Sequence, residues 1–272
     1  MKTQYDIERI QRKARIMRKN IVLMLKTDKG HLGGSMSIAD IVATLYFGVM
    51  NFDPKEPRKK DRDRFILSKG HSVLAQYAAL IELGLVPSDR LDTLKSLGSP
   101  LQGHPDMKLF PGIEANTGAL GQGLSLANGI ALAARLDREK FYTYVIIGDG
   151  ELSEGQNWEA VMASAHYKLN HVIAFIDNNE LQATGPIQKR FNTQPYLQKF
   201  IGFGWNACEI DGHSVPDIIR AVENAKTSTD KPTAIIAHTV KGKGVSFAEN
   251  NPAFHHNNMT PEQYEQALKE LM

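Results

Sequence analysis

The chain has 272 residues, 42% of them hydrophobic and 23% charged, and a formal net charge of +2. That length suits one large α/β domain or two small ones of globular composition, and near-neutrality gives no ground for a nucleic-acid partner. The single cysteine, Cys208, excludes an internal disulfide and a cysteine-rich metal cluster and fits a reducing, cytoplasmic setting, while no apolar run nears the ~20 residues that span a membrane.

The first 25 residues, MKTQYDIERIQRKARIMRKNIVLML, carry charge well into the stretch, unlike a secretory signal, and Asp6 and Glu8 speak against a transit peptide. Ile7, Ile10, Ala14, Met17, Ile21 and Met24 recur at three- and four-residue steps, which predicts an amphipathic helix lying on a core. Lys29-Gly30-His31-Leu32-Gly33-Gly34-Ser35 then predicts a glycine-rich loop, ahead of an apolar helix near 38–50. It is no P-loop, because the Gly-Lys-Ser/Thr ending is missing. Taken alone, His31 reads as a loop residue with no role.

Residues 58–64, RKKDRDR, read as a mixed-charge surface turn. Phe65-Ile66-Leu67 predicts a short strand running into Ser68-Lys69-Gly70-His71-Ser72 and a helix over 72–83. Lys69 on its own reads as solvated; His71, between a strand end and a helix start, is placed to meet an anion. After the loop LQGHPD at 101–106 comes GIEANTGALGQGLSLAN at 112–128. Its glycines at 118, 121 and 123 do not make G-x-G-x-x-G, so a dinucleotide fold is weakly supported, and they suit a closely packed helix start.

The centre of the chain is Tyr144 to Gly185. Tyr144-Val145-Ile146-Ile147 ends at Gly148-Asp149-Gly150, a helix follows over about 156–168, and His171-Val172-Ile173-Ala174-Phe175-Ile176 ends at Asp177-Asn178-Asn179. Both apolar runs are continuous and rich in β-branched residues, as in strands covered on both faces of a parallel sheet. They predict one right-handed βαβ unit within an α/β fold that has a mostly parallel central sheet and helices on both faces. Ligands of such sheets sit beyond the carboxyl ends of the strands, where Asp149 and Asn179 fall. A carboxylate and an amide oxygen from adjacent loops suit Mg²⁺, which takes few protein oxygens and completes its shell with phosphate and water. Gly148 and Gly150 let a ligand approach and would leave amides free, and the next helix would turn its N-terminus to a diphosphate. Asp-Gly and Asn-Asn after strands are also ordinary turn chemistry, and the residues alone leave both readings open.

Farther on, 184–203 reads as a loop with an amphipathic piece. Trp205–Ile210 and Thr233–His238 read as strands, with a helix over 215–226 introduced by His213-Ser214. Thr239-Val240-Lys241-Gly242-Lys243-Gly244 is either a flexible basic loop or a ligand-facing one. Thr260, Pro261 and Gln263 predict a capped final helix with no linker leading onward. Of nine histidines, those at 31, 71, 104 and 255 fall in glycine-bearing or loop segments, where imidazoles can donate to a carbonyl oxygen or relay protons. His166 and His238 read as structural, and His171 and His213 sit at element edges. Glu154 and Glu159 read as acidic residues near a helix N-terminus.

Taken together, GDGELSEGQNWEA, the 28 residues between Gly150 and Asn179, IDNN, SKGHS, GHP, TGALGQG and TVKGKGVSFAENNPAFHH resemble the transketolase family. The resemblance implies a thiamine-diphosphate-binding fold in which Mg²⁺ or Ca²⁺ is held by Asp149, Asn179 and the Leu181 carbonyl. Gly148 and Gly150 flank the metal-binding aspartate, His71 lies by the diphosphate, and Gly118 and Leu120 touch the aminopyrimidine. His31, His104 and His255 face the donor sugar, His255 matching better than His256. Glu154 and Glu159 lie in the subunit interface, with Glu154 linking paired cofactor sites. Leu32 and Ala119 stand where many members have proline.

The resemblance covers nearly the whole chain, 1–272, as a single pyrophosphate-binding domain. It leaves out the family's second domain and the glutamate that activates the cofactor. It therefore implies the N-terminal subunit of a split transketolase, paired with a C-terminal subunit in an α2β2 assembly. That subunit would transfer a two-carbon ketol unit between sugar phosphates, as in the pentose phosphate pathway. Two other readings stand beside it: an α-type subunit of a 2-oxoacid dehydrogenase E1, against which SKGH, GHP and TGALGQG speak, and a non-catalytic cofactor-binding module.

Overall fold

A computed structural model describes residues 5–26 and 30–272. Lys29, expected to open the glycine-rich loop, and the first four residues lie outside them. Helix α1 (Ile7–Met24) starts at Asp6, whose side chain accepts the Arg9 N–H at 2.9 Å. Ile10, Ala14, Met17, Ile21 and Met24 are buried as the spacing predicts, but Ile7, in the first turn, is exposed. The expected glycine-rich loop is instead helix α2 (Leu32–Ser37), with Gly33 and Gly34 inside it. All six of its residues are buried, so tertiary burial overrides the poor helix propensity of glycine. The apolar helix expected over 38–50 is α3 (Ala39–Thr44) followed by a wider π turn, Leu45–Val49.

Strand β1 (Arg64–Leu67) leads through a short 3-10 turn into α4 (Val73–Glu82). A long irregular stretch ends at α5 (Gly123–Leu136). The central unit is β2 (Thr143–Gly148), α6 (Gly155–His166) and β3 (Val172–Asn178). Strand β3 runs two residues farther than expected and takes Asp177 into the ladder opposite Gly148. Within the expected loop 184–203 and just before it lie a small antiparallel ribbon, β4 (Leu181–Gln182) with β5 (Gly185–Pro186), and helices α7 (Ile187–Arg190) and α8 (Tyr196–Gly202). The chain continues as β6 (Asn206–Asp211), α9 (Val215–Lys226), β7 (Thr233–His238) and α10 (Pro261–Glu270). Helix α9 is capped by Ser214, and α10 carries the capping box of Thr260 and Gln263.

Among the described residues the main sheet has five strands, all parallel, in the order β1-β2-β3-β7-β6. Alternate residues separate into two cores. Phe65, Leu67, Tyr144, Ile146, Ile173, Phe175 and Ile235 face the side covered by α1, α3, α4 and α9. Ile66, Val145, Ile147, Val172, Ala174, Ile176 and Ile236 face α5, α6 and α8. Burial on both sides explains why the strands read as unbroken apolar runs. No described helix is long and apolar enough to cross a membrane. The loop 239–256 is held from outside by α10: Glu270 accepts from the Ser246 backbone N–H at 2.7 Å and from its hydroxyl at 2.6 Å.

Phe175 is fully buried. Phe175→Ala should cost about 3–5 kcal/mol in denaturant unfolding, whereas Leu136→Ala, at an 84% exposed position, should stay within about 0.5 kcal/mol.

Candidate active site

The carboxyl ends of β1, β2, β3 and β7 open onto one cavity of about 390 Å³. Twelve residues singled out from the sequence line it, and Glu159 does not: His31, His71, His104 and His255; Gly118 and Leu120; Gly148, Asp149 and Gly150; Glu154, Asn179 and Leu181. A second cavity, among Arg135, Arg138, Lys140 and His171, contains none of them.

Asp149 and Asn179 stand on neighbouring strand tips, as the βαβ reading required. The tips are tied directly: the backbone N–H of Glu180 donates to Asp149 Oδ2. Asp149 Oδ1 accepts from Gly150 N at 2.7 Å, and Asn179 Oδ1 accepts from Leu181 N at 3.1 Å. Burial, then the nearby charge of Asp177, pushes the Asp149 carboxyl up to about 7. Such a group gains from a cation that would hold it ionised. The described residues include no cluster of three or more His, Cys, Asp or Glu placed to hold a metal ion. A donor set of one carboxylate, one amide oxygen and one carbonyl fits a hard cation that completes its shell from phosphate and water.

The amides of Gly148 and Gly150 are not free, contrary to the expectation from sequence. Gly150 N–H is spent on Asp149, and Gly148 N–H donates to Glu151 Oε2 at 3.0 Å. Helix α6 begins past these glycines, at Gly155, close to the predicted start near 156, after a 3-10 turn, Gly150–Ser153. Glu151, which sequence reasoning passed over, is 3% exposed. Its Oε1 accepts from Gly121 N at 2.8 Å and from Ser68 Oγ, so it ties the β2 tip to the β1 turn and to the TGALGQG loop. Burial raises its carboxyl above the ordinary range despite these donors.

Two lysines also differ from their plain sequence reading. Lys69 is not solvated: it is 2% exposed, ion-pairs with Asp177 and donates to the Gly34 carbonyl at 3.0 Å. Lys241 is buried, and its Nζ donates to the Leu181 carbonyl at 2.7 Å, which removes the flexible-loop reading. Burial, then the like charge of Lys69, lowers the Lys241 ammonium to about 8. Both buried lysines line the cavity. Among the described residues, His255 Nδ1 at the cavity and the Ser72 hydroxyl beside Gly34 are buried without a protein partner. A Cβ on Gly34 would fall 2.7 Å from Ser72 Oγ and 3.3 Å from Lys69 Nζ, so the helix backbone itself walls the cradle.

The histidines cluster. His31 lies 4.9 Å from His71, 6.5 Å from His104, 5.2 Å from His255 and 4.5 Å from His256 between ring centroids. His104 presses on Gly118: at φ +132° a Cβ there would come within 2.4 Å of the imidazole, so a side chain is excluded on both counts. Burial first, then neighbouring positive groups, lowers His31 to about 3 and His255 to about 4, and moves His71 and His104 the same way. The cluster is therefore neutral near pH 7, able to donate to and accept from sugar hydroxyls. His256 is exposed and does not line the cavity, which agrees with choosing His255. Glu154 and Glu159 are exposed in the isolated chain, Glu154 at the cavity rim. His213, given no role from sequence, is half-buried beside Asp40 at 2.7 Å and accepts the Val240 N–H at 2.9 Å, steadying the residue before Lys241.

A doubly wound parallel sheet whose strand tips carry buried oxygen donors and ammonium groups around one cleft defines an α/β diphosphate-binding protein. The family model described as transketolase, thiamine diphosphate binding domain, matches residues 8–271. The chain belongs to that family. It is 41% identical over 267 residues to an apulose-4-phosphate transketolase subunit of Phocaeicola vulgatus, covering 98% of this chain and 95% of that one. It is 44% identical over 263 residues to the 6-deoxy-6-sulfo-D-fructose transketolase subunit SqwG of a Clostridium species, covering 96% of each. Among solved structures, the transketolase of Campylobacter jejuni superposes with a TM-score of 0.90 at 30% identity over 98% of this chain. That of Leishmania mexicana gives 0.88 at 32% identity over 95%. The chain spans 43% and 40% of those two longer chains.

Histidines whose folded pKa lies below the unfolded value near 6.5 stabilise the fold above that pH and destabilise it as pH falls toward 4. The melting temperature should therefore drop between pH 6.5 and 4, less steeply in His31→Asn/His255→Asn. The proton NMR signals of His31 and His255 should show no titration step between pH 5.5 and 8.

Proposed function

We propose that this chain is the thiamine-diphosphate-binding subunit of a split transketolase, forming a single domain over 1–272 and transferring a two-carbon ketol unit from a ketose phosphate to an aldose phosphate. The carrying observation is the meeting of Asp149, Asn179 and Leu181 with four histidines and two buried lysines around one cleft. The near full-length match to relatives named as transketolase subunits supports this over a 2-oxoacid dehydrogenase-like subunit or a non-catalytic module.

On this reading Asp149, Asn179 and the Leu181 carbonyl hold Mg²⁺ or Ca²⁺. His71, Lys69 and Lys241 neutralise the diphosphate, and Gly118 and Leu120 lie against the aminopyrimidine. Gly148 and Gly150 shape the turn that presents Asp149. Thiamine diphosphate, when bound, supplies the carbon nucleophile and the electron sink for carbon–carbon cleavage. His31, His104 and His255 orient the sugar hydroxyls, and a neutral imidazole among them can take a proton from a hydroxyl and return it at a developing alkoxide. Partial burial of His31 and His255 limits the competition of bulk water for those hydrogen bonds. Glu154 and Glu159 belong to a subunit interface. The greater length of the solved transketolases, and the naming of full-length relatives as subunits, support a separate C-terminal subunit, which we place in an α2β2 assembly. The setting proposed is cytoplasmic, within pentose phosphate metabolism.

Asp149→Ala should abolish Mg²⁺-dependent thiamine-diphosphate binding in calorimetry; unchanged affinity would refute the metal assignment. The purified chain alone should turn over no ketose phosphate and should gain activity when its C-terminal subunit is added. Robust turnover by the chain alone would contradict the split arrangement.

A further inference from the structure

Asp177 lies outside the proposed donor set, yet it joins the supports of the whole site. Its carboxylate is fully buried. Oδ2 accepts from Ser37 Oγ at 2.8 Å, from Asn179 Nδ2 at 2.9 Å and from Lys69 Nζ. Oδ1 accepts from Thr239 Oγ1. Those partners belong to α2, the β3 tip, the turn after β1 and the loop after β7. Each of these segments also delivers a cavity residue: Gly34, Asn179, His71 and Lys241.

An ionised carboxylate only accepts, and an amide nitrogen only donates. Asn179 therefore cannot turn its amide over without setting its oxygen against the Asp177 charge. With Nδ2 fixed on Asp177 and Oδ1 receiving the Leu181 N–H, one lone pair of that oxygen stays available on the cavity side. The two oxygens of Asp177 are themselves occupied, and Lys69 offsets the charge. We propose that Asp177 is a positioning residue for the metal and diphosphate. It fixes the Asn179 amide with its oxygen toward the cation, and it anchors the Lys69 ammonium beneath the strand tips. This rests on the metal reading above, and it concerns how the ligand is aimed rather than which atoms bind.

The test measures the Mg²⁺ concentration that half-saturates thiamine-diphosphate binding, by calorimetry on the full chain. Asp177→Asn should raise that concentration about 10- to 100-fold, the range typical of lost partners behind metal ligands. Thr239→Val removes a contact on the other carboxylate oxygen and should stay within about threefold, although its melting temperature falls. An unchanged Mg²⁺ requirement in Asp177→Asn overturns the proposal, as does an equal rise in Thr239→Val. Should Asp177→Asn fail to fold for want of a partner for Lys69, the double variant Lys69→Met/Asp177→Asn buries no unpaired charge. A Mg²⁺ requirement in the double variant above that of Lys69→Met alone supports the orienting role, and one equal to that of Lys69→Met overturns it. Asp149→Ala separates the two levels. If it loses binding while Asp177→Asn keeps it, only this inference fails; if it too binds as wild type, the metal assignment fails and takes this inference with it.

Discussion

Parallel pairing of β2 with β3 is the constraint from which the site follows. The register sets Gly148 level with Asp177, so β2 ends one residue short of β3. Asp149 then stands one residue beyond one strand and Asn179 one residue beyond the other. The Glu180 N–H closes the gap by donating to Asp149. A slip of one residue would turn every side chain of one strand to the opposite face, and the two unlike cores on either side of the sheet forbid it. Packing of Ile146 and Phe175 on one side, and of Val145 and Ala174 on the other, thus determines where two oxygen atoms sit several residues away.

Around that frame the buried charges are balanced in a particular way. Asp149, Glu151 and Asp177 lie under the strand tips together with Lys69 and Lys241. Burial pushes the Asp177 carboxyl up, but the charge and hydrogen bonds of Lys69, with Thr239 and Ser37, outweigh this and hold it below the ordinary carboxylate range. Among the described residues no ammonium stands so close to Asp149, and its carboxyl goes the other way. The difference separates a carboxylate already satisfied by the protein from one that favours an incoming cation. A histidine cluster kept neutral by burial beside these lysines makes the cleft polar without adding further fixed charge.

Much of this was legible because the informative chemistry is local. The runs before Gly148 and Asp177, the caps of α9 and α10, and the bounds of α1 depend on residues within one or two turns of each other. The glycine-bearing histidine motifs were legible as family patterns. What stayed hidden depends on distance along the chain. Glu151 reaches Ser68 across 83 residues and Gly121 across 30, and Lys69 meets Asp177 across 108. Each taken alone is an ordinary charged residue beside a turn. The helix at 32–37 was misread because glycine argues for a loop locally, whereas complete burial decides the matter globally. The amides of Gly148 and Gly150 were expected to be open because their acceptors are carboxylates whose side-chain direction no pattern reveals.

The grip of Glu270 on Ser246 gives the last helix a mechanical part in the molecule. Ser246 lies between Lys241 and His255 along one loop, so α10 acts as a brace on the outer end of a lever whose inner end reaches the cleft. Prising that brace loose would free the outer turn of the loop, while Lys241 stays held at the cleft by the Leu181 carbonyl. A change at Glu270 would accordingly loosen the far side of that loop without reaching either core of the sheet.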